Sequence, residues 1–370
     1  MILVKDLLKV FEKNNINFFY GVPDSVLKNF TNELDVNKKF KNYILPNEGS
    51  ALSTAIGYYL QTKKIPGVYM QNSGLGNSLN PLISIAHKKV YQIPLLLIIG
   101  WRGAPNIKDE PQHLAQGKIT KKILSLCGVK FCILNNKKDL VKLKNLISFS
   151  KKKTQPVACL IKNNYLKINI SKNKNNLELS KYSISRSIFI KKLLKFIGKK
   201  DKIFSSTGYL SRDLYYQILK SNLKIYPFYM VGGMGHTSSV SLGYSLKTNN
   251  KVICLDGDGS FLMHLGSAVS IAKYSKKNLK YILINNRSHE SVGGQTTNID
   301  NVDLDLFSKS LGYKSFFYLN KKNDIDKILK KFLNYNGSSF LEVKVQPNEL
   351  ENNLPRPKDL LKVKNNFLKK

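Results

Sequence analysis

Two short polar runs carry the clearest chemistry in this chain. The apolar run Val252 to Leu255 ends in Asp256-Gly257-Asp258-Gly259, and a second apolar run, over 281–284, ends in Asn285-Asn286. Each apolar run reads as a buried parallel strand, with helical sequence between them. Two parallel strands joined by a helix leave their C-terminal ends side by side. Asp258 and the Asn pair therefore meet at the carboxyl edge of one sheet, where open α/β sheets bind ligands. A carboxylate, an amide oxygen and a backbone carbonyl suit a hard, oxygen-seeking cation such as Mg²⁺, which keeps water and phosphate oxygens as its other ligands. Gly257 and Gly259 let the backbone approach those phosphates, and a helix after Gly259 would aim its first amides, from Ser260 onward, at them. A lone Gly-Asp-Gly is a common turn; its combination with two strands and Asn-Asn is far more restrictive.

Other strand–helix junctions hold residues able to serve the same site. Glu48, in Leu45-Pro46-Asn47-Glu48-Gly49, sits where an apolar strand meets a helix. A carboxylate at a helix N-terminus is stabilising by a few tenths to about 1 kcal/mol, and that alone would explain it. Gly74, in Gln71-Asn72-Ser73-Gly74-Leu75-Gly76, opens a second such turn whose amides could hold an anion. Ser206-Thr207-Gly208 and Gly232-Gly233-Met234-Gly235-His236 offer hydroxyls and free amides to phosphate, although Met234 on its own reads as core filler. Asp24, in Gly21-Val22-Pro23-Asp24-Ser25, reads first as a helix N-cap and second as a proton-handling residue. Residues 101–120 are polar and strand-free, which suggests either a surface excursion or a substrate loop. In the second case Arg102, His113 and Lys118 would be cationic donors to a dianionic substrate. His87 and His264, on expected helices, are assigned structural roles.

Those elements need a scaffold, and 370 residues give room for two ordinary domains. Expected strands (16–20, 43–45, 67–71, 94–99, 130–134 and 157–161) alternate with expected helices through the first half. A Lys- and Asn-rich stretch ends the pattern, which then restarts with strands expected at 202–205, 226–229, 314–317 and 339–343. Alternation of this kind implies an α/β fold of two doubly wound parallel sheets. No leader is apparent at the N-terminus and no apolar run is long enough to cross a bilayer, so a cytoplasmic protein without membrane contact is expected. The four cysteines lack paired spacing and read as core residues of a reducing compartment. A net charge of +36 invites a nucleic-acid-binding reading, but only five of the 60 basic residues are Arg. Arg is the residue of bidentate base and phosphate recognition, so the charge is read as a solvated surface and no nucleic-acid partner is expected.

Together, PNEGSALSTAIGYYL, NSGLGNSLNPL, DEPQH, GGMGHTSS, GDGSF and NNRSHESVGGQ resemble the phosphonopyruvate decarboxylases, a family of thiamine-diphosphate-dependent decarboxylases, over nearly the whole chain. The resemblance implies the thiamine-diphosphate-binding fold without a middle domain. Its parts would be a pyrimidine-binding domain (1–165), a linker (166–182), a diphosphate- and Mg-binding domain (183–350) and a C-terminal tail (351–370). It implies that Glu48 hydrogen-bonds the cofactor's aminopyrimidine and that Met234 props the cofactor into a bent shape. Gly74, Thr207, Gly208, Gly233, Gly235, His236, Gly257, Gly259 and Ser260 would lie along thiamine diphosphate. Mg²⁺ would be held by Asp258, Asn286 and the carbonyl of Ser288. Asp24, His113, His289 and Glu290 are the acid–base candidates. The implied reaction is decarboxylation of an anionic 2-keto acid, 3-phosphonopyruvate, to phosphonoacetaldehyde and CO₂ in phosphonate biosynthesis. The implied assembly is a homodimer or larger homo-oligomer with interfacial active sites. A sulfopyruvate decarboxylase is the nearest rival, and a non-catalytic basic nucleic-acid-binding protein a distant one. Arg287 departs from the small residue expected after Asn-Asn, and Thr296 from the Pro expected after Gly-Gly-Gln.

Overall fold

The computed structural model describes residues 1–168, 182–347 and 354–369. The chain divides into two compact units, Met1–Lys174 and Asn175–Lys370. The expected linker lies mostly outside the described residues. Within its first part, however, Leu166–Lys167 is a strand that pairs with Ile2–Leu3.

The first unit holds strands β1 (Ile2–Leu3), β2 (Phe18–Gly21), β3 (Lys41–Ile44), β4 (Gly67–Gln71), β5 (Leu96–Trp101), β6 (Lys130–Leu134), β7 (Val157–Lys162) and β8 (Leu166–Lys167). Six of them form a parallel sheet in the order β3-β2-β4-β5-β7-β6. The middle strands read as unbroken apolar runs because both sheet faces are covered: every residue of β5 is buried. The helix Val4–Lys13 buries Val4, Leu7, Leu8, Val10 and Phe11, the spacing that puts apolar side chains on one helical face.

The second unit holds β9 (Lys202–Ser205), β10 (Phe228–Tyr229), β11 (Val252–Gly257), β12 (Leu279–Asn285), β13 (Ser315–Leu319) and β14 (Ser339–Lys344). Their parallel order is β10-β9-β11-β12-β14-β13. Numbered from the first strand of each six-stranded sheet, both units have the order 2-1-3-4-6-5, so one topology occurs twice. In each sheet the winding reverses between the first and third strands. That reversal opens a crevice at the carboxyl ends, where such sheets take ligands.

The expected helix between β11 and β12 is two short helices, Asp258–Met263 and Ser267–Tyr274, parted at His264. The first begins at Asp258 and not after Gly259. The C-terminal helix Leu360–Leu368, in the expected tail, docks on the second unit. Its Phe367 ring contacts Phe204, Phe228 and Tyr244 at centroid distances of 5.1, 5.6 and 5.4 Å. Lys202 Nζ donates to the carbonyls of Phe367 (2.6 Å) and Lys369 (3.0 Å), where the helix leaves its last carbonyls without intrahelical partners. Among the described residues no helix is long and apolar enough to cross a membrane. The four cysteines are free.

Phe367→Ala should destabilise the second unit by about 3 kcal/mol, the usual loss for a buried Phe, measured as a shift in urea unfolding. An unchanged midpoint would show that the tail helix adds nothing to the core.

Candidate functional site

The first unit places its candidates at the carboxyl ends of β2, β3 and β4. Asn47 caps the helix Glu48–Thr62, its side-chain oxygen accepting from the Ser50 N–H at 2.9 Å, which sets Glu48 at the first helical position. Glu48 is buried, and its Oε2 accepts from Asn77 Nδ2 at 2.7 Å. Gly74 closes the other side: a Cβ there would lie 2.4 Å from both Glu48 Cγ and Oε1. The bare backbone at Gly74 is therefore what admits the carboxyl. Burial pushes the Glu48 pKa up, against the lowering effect of Asn77. A carboxyl in that state keeps a proton more readily than a surface one and is suited to sharing it with a ring nitrogen.

Asp24 is buried after β2, where Oδ2 accepts from the N–H groups of Val26 (3.1 Å) and Leu27 (3.2 Å) and Oδ1 from Gln71 Nε2 (2.8 Å). It caps the turn before the helix Lys28–Val36, whose own N-cap is Leu27, so the expected helix cap becomes a turn cap. Burial raises its pKa as well.

The stretch 101–120 is not a strand-free excursion. Trp101 is buried as the last residue of β5, and its indole N–H donates to the Gly117 carbonyl at 3.0 Å. The helix Pro111–Leu126 takes up the second half of this stretch. Gln112, Gln116, Gly117 and Lys118 mask it, because they leave no apolar stripe and place a helix-weakening Gly in the middle. Gly117 is required there, since a Cβ would fall 1.8 Å from the Gly103 carbonyl oxygen. Arg102 is held by both oxygens of Asp109, with Nε to Oδ2 at 2.8 Å and Nη2 to Oδ1 at 2.5 Å, and by Ser25 Oγ at 3.1 Å. Burial pushes the His113 pKa down to about 4, helped by the charge of Arg102. At neutral pH His113 is an uncharged ring and not the cationic donor expected. Lys118 is exposed. Asn72, which the sequence reading did not single out, ties the end of β4 to this stretch through the Arg102 backbone (3.0 Å) and Thr120 Oγ1 (2.9 Å).

In the second unit, Thr207 and Gly208 follow β9, and Gly208 takes φ +85° at the start of the helix Tyr209–Ser221. Gly233, Met234, Gly235 and His236 follow β10, with Met234 half-buried. Gly235, at φ +84°, donates its N–H to Ser260 Oγ at 3.1 Å. A Cβ there would meet His264 Cδ2 at 2.5 Å. His264 ends the short helix Asp258–Met263, and its ring stacks on His236 at 4.5 Å, so it belongs to this cluster and not to a distant helix face. The 232–236 turn is thus seated on the segment that follows β11.

The end of β11 and the start of that segment hold two buried carboxylates. Asp256, which the sequence reading passed over, accepts from Tyr281 Oη (2.8 Å) and the Gly257 N–H (3.0 Å). Asp258 accepts from the Gly259 N–H at 3.0 Å and from Thr297 Oγ1 at 2.8 Å. Burial pushes the Asp258 pKa up to about 7. Among the described residues none of the ion pairs includes Asp258. The β11–β12 register pairs Gly257 with Ile284, so two neighbouring strand ends lead into Asp258 and Asn286. Asn286 Oδ1 accepts from the Ser288 N–H at 3.0 Å and keeps a second lone pair.

Residues 287–297 form a hairpin, with Ser288 bridged to Thr296 and the Thr297 N–H donating to the Arg287 carbonyl at 3.1 Å. Its His289 ring covers Gly259, where a Cβ would lie 2.9 Å from Cε1. Burial pushes the His289 pKa down to about 4, so the ring is neutral at physiological pH. Glu290 Oε2 accepts from Arg186 Nη1 (2.5 Å) and Asn286 Nδ2 (3.2 Å), so this acid–base candidate sits in an ion pair. Arg287 adopts φ +61° and directs its guanidinium to Asp300 (3.6 Å) and over the Tyr182 ring (5.3 Å). Thr296 lies in the hairpin, its hydroxyl 3.4 Å from Asn298 Oδ1.

The donor set can be tested against a divalent ion. Among the described residues there is no cluster of three His, Cys, Asp or Glu able to hold a metal. Any ion at Asp258 would rest on one carboxylate plus amide and carbonyl oxygens, which are donors for Mg²⁺ and not for zinc. A buried, uncompensated carboxylate beside a free amide lone pair fits such an ion.

Fold and sites define the class first. Residues 1–124 match the thiamine pyrophosphate enzyme N-terminal TPP-binding domain, and residues 207–343 match the C-terminal TPP-binding domain. More particularly, the chain is 30% identical to a phosphonopyruvate decarboxylase of Streptomyces hygroscopicus, over 97% of this chain and 91% of the relative. A sulfopyruvate decarboxylase of Methanosarcina acetivorans is 27% identical over 92% of this chain and 90% of its own. The sulfopyruvate decarboxylase of Methanocaldococcus jannaschii divides the match. Its beta subunit is 35% identical over 47% of this chain (90% of the subunit), and its alpha subunit 32% over 45% (96% of the subunit). The chain belongs to the thiamine-diphosphate-dependent decarboxylase family, the family of phosphonopyruvate decarboxylase, and is a carboxy-lyase.

Gly74→Ala should displace Glu48 and lower turnover about 100-fold, the usual effect of moving a reacting group by an ångström. Steady-state kinetics beside a thermal melt would show this. Unchanged turnover would mean that the Gly74 contact does not set the position of Glu48.

Proposed function

We propose that the chain decarboxylates 3-phosphonopyruvate to phosphonoacetaldehyde and CO₂, with thiamine diphosphate and Mg²⁺ as cofactors, in the biosynthesis of 2-aminoethylphosphonate-type phosphonates. The observation that carries this reading is the full-length similarity to phosphonopyruvate decarboxylase, with Glu48 and Asp258 both in suitable surroundings. Thiamine diphosphate, when bound, would supply a nucleophilic carbon and an electron sink for the decarboxylation.

The chain's own residues do the rest. Glu48, with its raised pKa, shares a proton with the aminopyrimidine nitrogen, and Asn77 and Gly74 fix its direction. Asp258, the Asn286 amide oxygen and the Ser288 carbonyl would hold Mg²⁺ and with it the diphosphate. Thr207, Gly208, Gly233, Gly235, His236, Gly257, Gly259 and Ser260 would line that end, with Met234 supporting the cofactor between its two ends. His289, neutral and packed on Gly259, excludes water there. Arg102 and Lys118 receive the phosphonate, and Asp109 orients the Arg102 fork. Asp24 and His113 handle protons at the reacting carbon. Residues 1–165 act as the pyrimidine domain and 183–350 as the diphosphate domain. The active assembly is a cytoplasmic homodimer or larger, in which two subunits share each cofactor.

Sulfopyruvate is the second reading, favoured by the similarity to sulfopyruvate decarboxylases from two methanogens. CO₂ release from phosphonopyruvate, sulfopyruvate and pyruvate, with and without Mg²⁺ and thiamine diphosphate, separates the two. Phosphonopyruvate should give the highest kcat/KM, and a preference for sulfopyruvate would overturn the substrate assignment. Glu48→Gln should abolish turnover while thiamine diphosphate still binds. Turnover within a few-fold of wild type, a loss of under about 1 kcal/mol in barrier terms, would remove Glu48 from the mechanism.

A further inference from the structure

Arg186 is buried at the start of the helix Arg186–Leu194, far in sequence from every motif discussed above. Its Nε donates to Asp213 Oδ2 at 3.2 Å and its Nη1 to Glu290 Oε2 at 2.5 Å. Asp213 is further held by Ser187 Oγ (2.7 Å) and Gln217 Nε2 (3.1 Å). The cluster therefore sets two carboxylates against one guanidinium, all of them buried. Buried ion pairs of this kind contribute little net stability relative to apolar packing, so their geometry calls for another explanation.

The far side of Glu290 supplies one. The same Oε2 that meets Arg186 also accepts from Asn286 Nδ2 at 3.2 Å, while Asn286 Oδ1 accepts from the Ser288 N–H at 3.0 Å. An amide has two nearly isosteric ends, and its neighbours decide which way it faces. Here the neighbours have opposite polarity. Reversing Asn286 would set its oxygen against an anionic oxygen and its NH₂ against a backbone N–H. The Glu290 carboxylate thus determines which end of the amide faces the 286–288 turn, and that end is the oxygen. Arg186 in turn fixes the carboxylate.

We propose that Glu290, anchored by Arg186, is a positioning residue that presents the Asn286 side-chain oxygen to the divalent ion of the diphosphate site. This rests on the function proposed above and goes beyond it, because it takes Glu290 out of the acid–base candidates. Metal sites depend on such outer partners, whose loss typically weakens metal affinity about 10–100-fold.

The test compares Glu290→Met with Glu290→Gln, reading the Mg²⁺ concentration needed for half-maximal thiamine diphosphate binding by calorimetry, together with the melting temperature and turnover. Methionine removes the acceptor and leaves Arg186 paired with Asp213. Glutamine keeps an oxygen able to accept from both Arg186 and Asn286. Glu290→Met should raise the Mg²⁺ requirement about 10–100-fold, and Glu290→Gln, which keeps the acceptor oxygen, should hold it within a few-fold of wild type. If Glu290→Gln loses turnover as fully as Glu290→Met while binding Mg²⁺ normally, Glu290 is an acid–base residue and the proposal is overturned. A lower melting temperature in Glu290→Met with an unchanged Mg²⁺ requirement would overturn it too, since the role would then be structural only. Should Glu290→Met not fold, the Glu290→Gln turnover and Mg²⁺ requirement decide the matter alone. A wild-type protein that binds no thiamine diphosphate at any Mg²⁺ concentration would instead sink the function proposed above.

Discussion

A carboxylate buried without a counter-charge is the constraint on which the second unit depends. Asp258 is held by a hydroxyl and backbone N–H groups, and burial alone lifts its pKa to about 7. Neutral donors reduce the desolvation penalty of an ionised group but do not cancel it. The fold bears that penalty at the carboxyl end of β11, beside the point where the sheet reverses its winding, which is where a ligand can offset it. A divalent ion carrying a diphosphate would do so.

The first unit repeats the strand order and places buried acids at the same edge. Its buried acids, Glu48 and Asp24, also have raised pKa values, with the side-chain amides of Asn77 and Gln71 as donors. One topology thus sets buried, proton-retaining carboxyls at the same edge twice, and loop residues supply their partners. The relatives in which alpha and beta subunits each match less than half of this chain agree with two separately organised units.

Much of this was legible in the sequence, for identifiable reasons. Central strands such as β5 and β12 announce themselves because burial on both faces demands continuous apolar residues. Gly-Asp-Gly and Asn-Asn were readable as paired strand-end turns because their combination with two apolar strands is restrictive. The first half of the helix Pro111–Leu126 was not readable, since its inward contacts run through His113 and Gly117 and not through apolar side chains. Nor could sequence show that Asp109 holds Arg102, that Asp256 is buried against Tyr281, or that Arg186 reaches Glu290 across 104 positions. These pairings exist only once the strands have brought distant segments together. Phe367 was equally opaque: one aromatic in a Lys-rich tail has no visible partner until β9 and β10 stand beside it.

On the function proposed above, Asp258 joins the cofactor to the protein through a divalent ion. Calorimetric titration of thiamine diphosphate into the metal-free protein and its Asp258→Asn variant, with and without Mg²⁺, tests it most directly. Tight binding is expected only for the wild type with Mg²⁺, and weak, Mg²⁺-independent binding for Asp258→Asn. Equal affinity in all four titrations would contradict it.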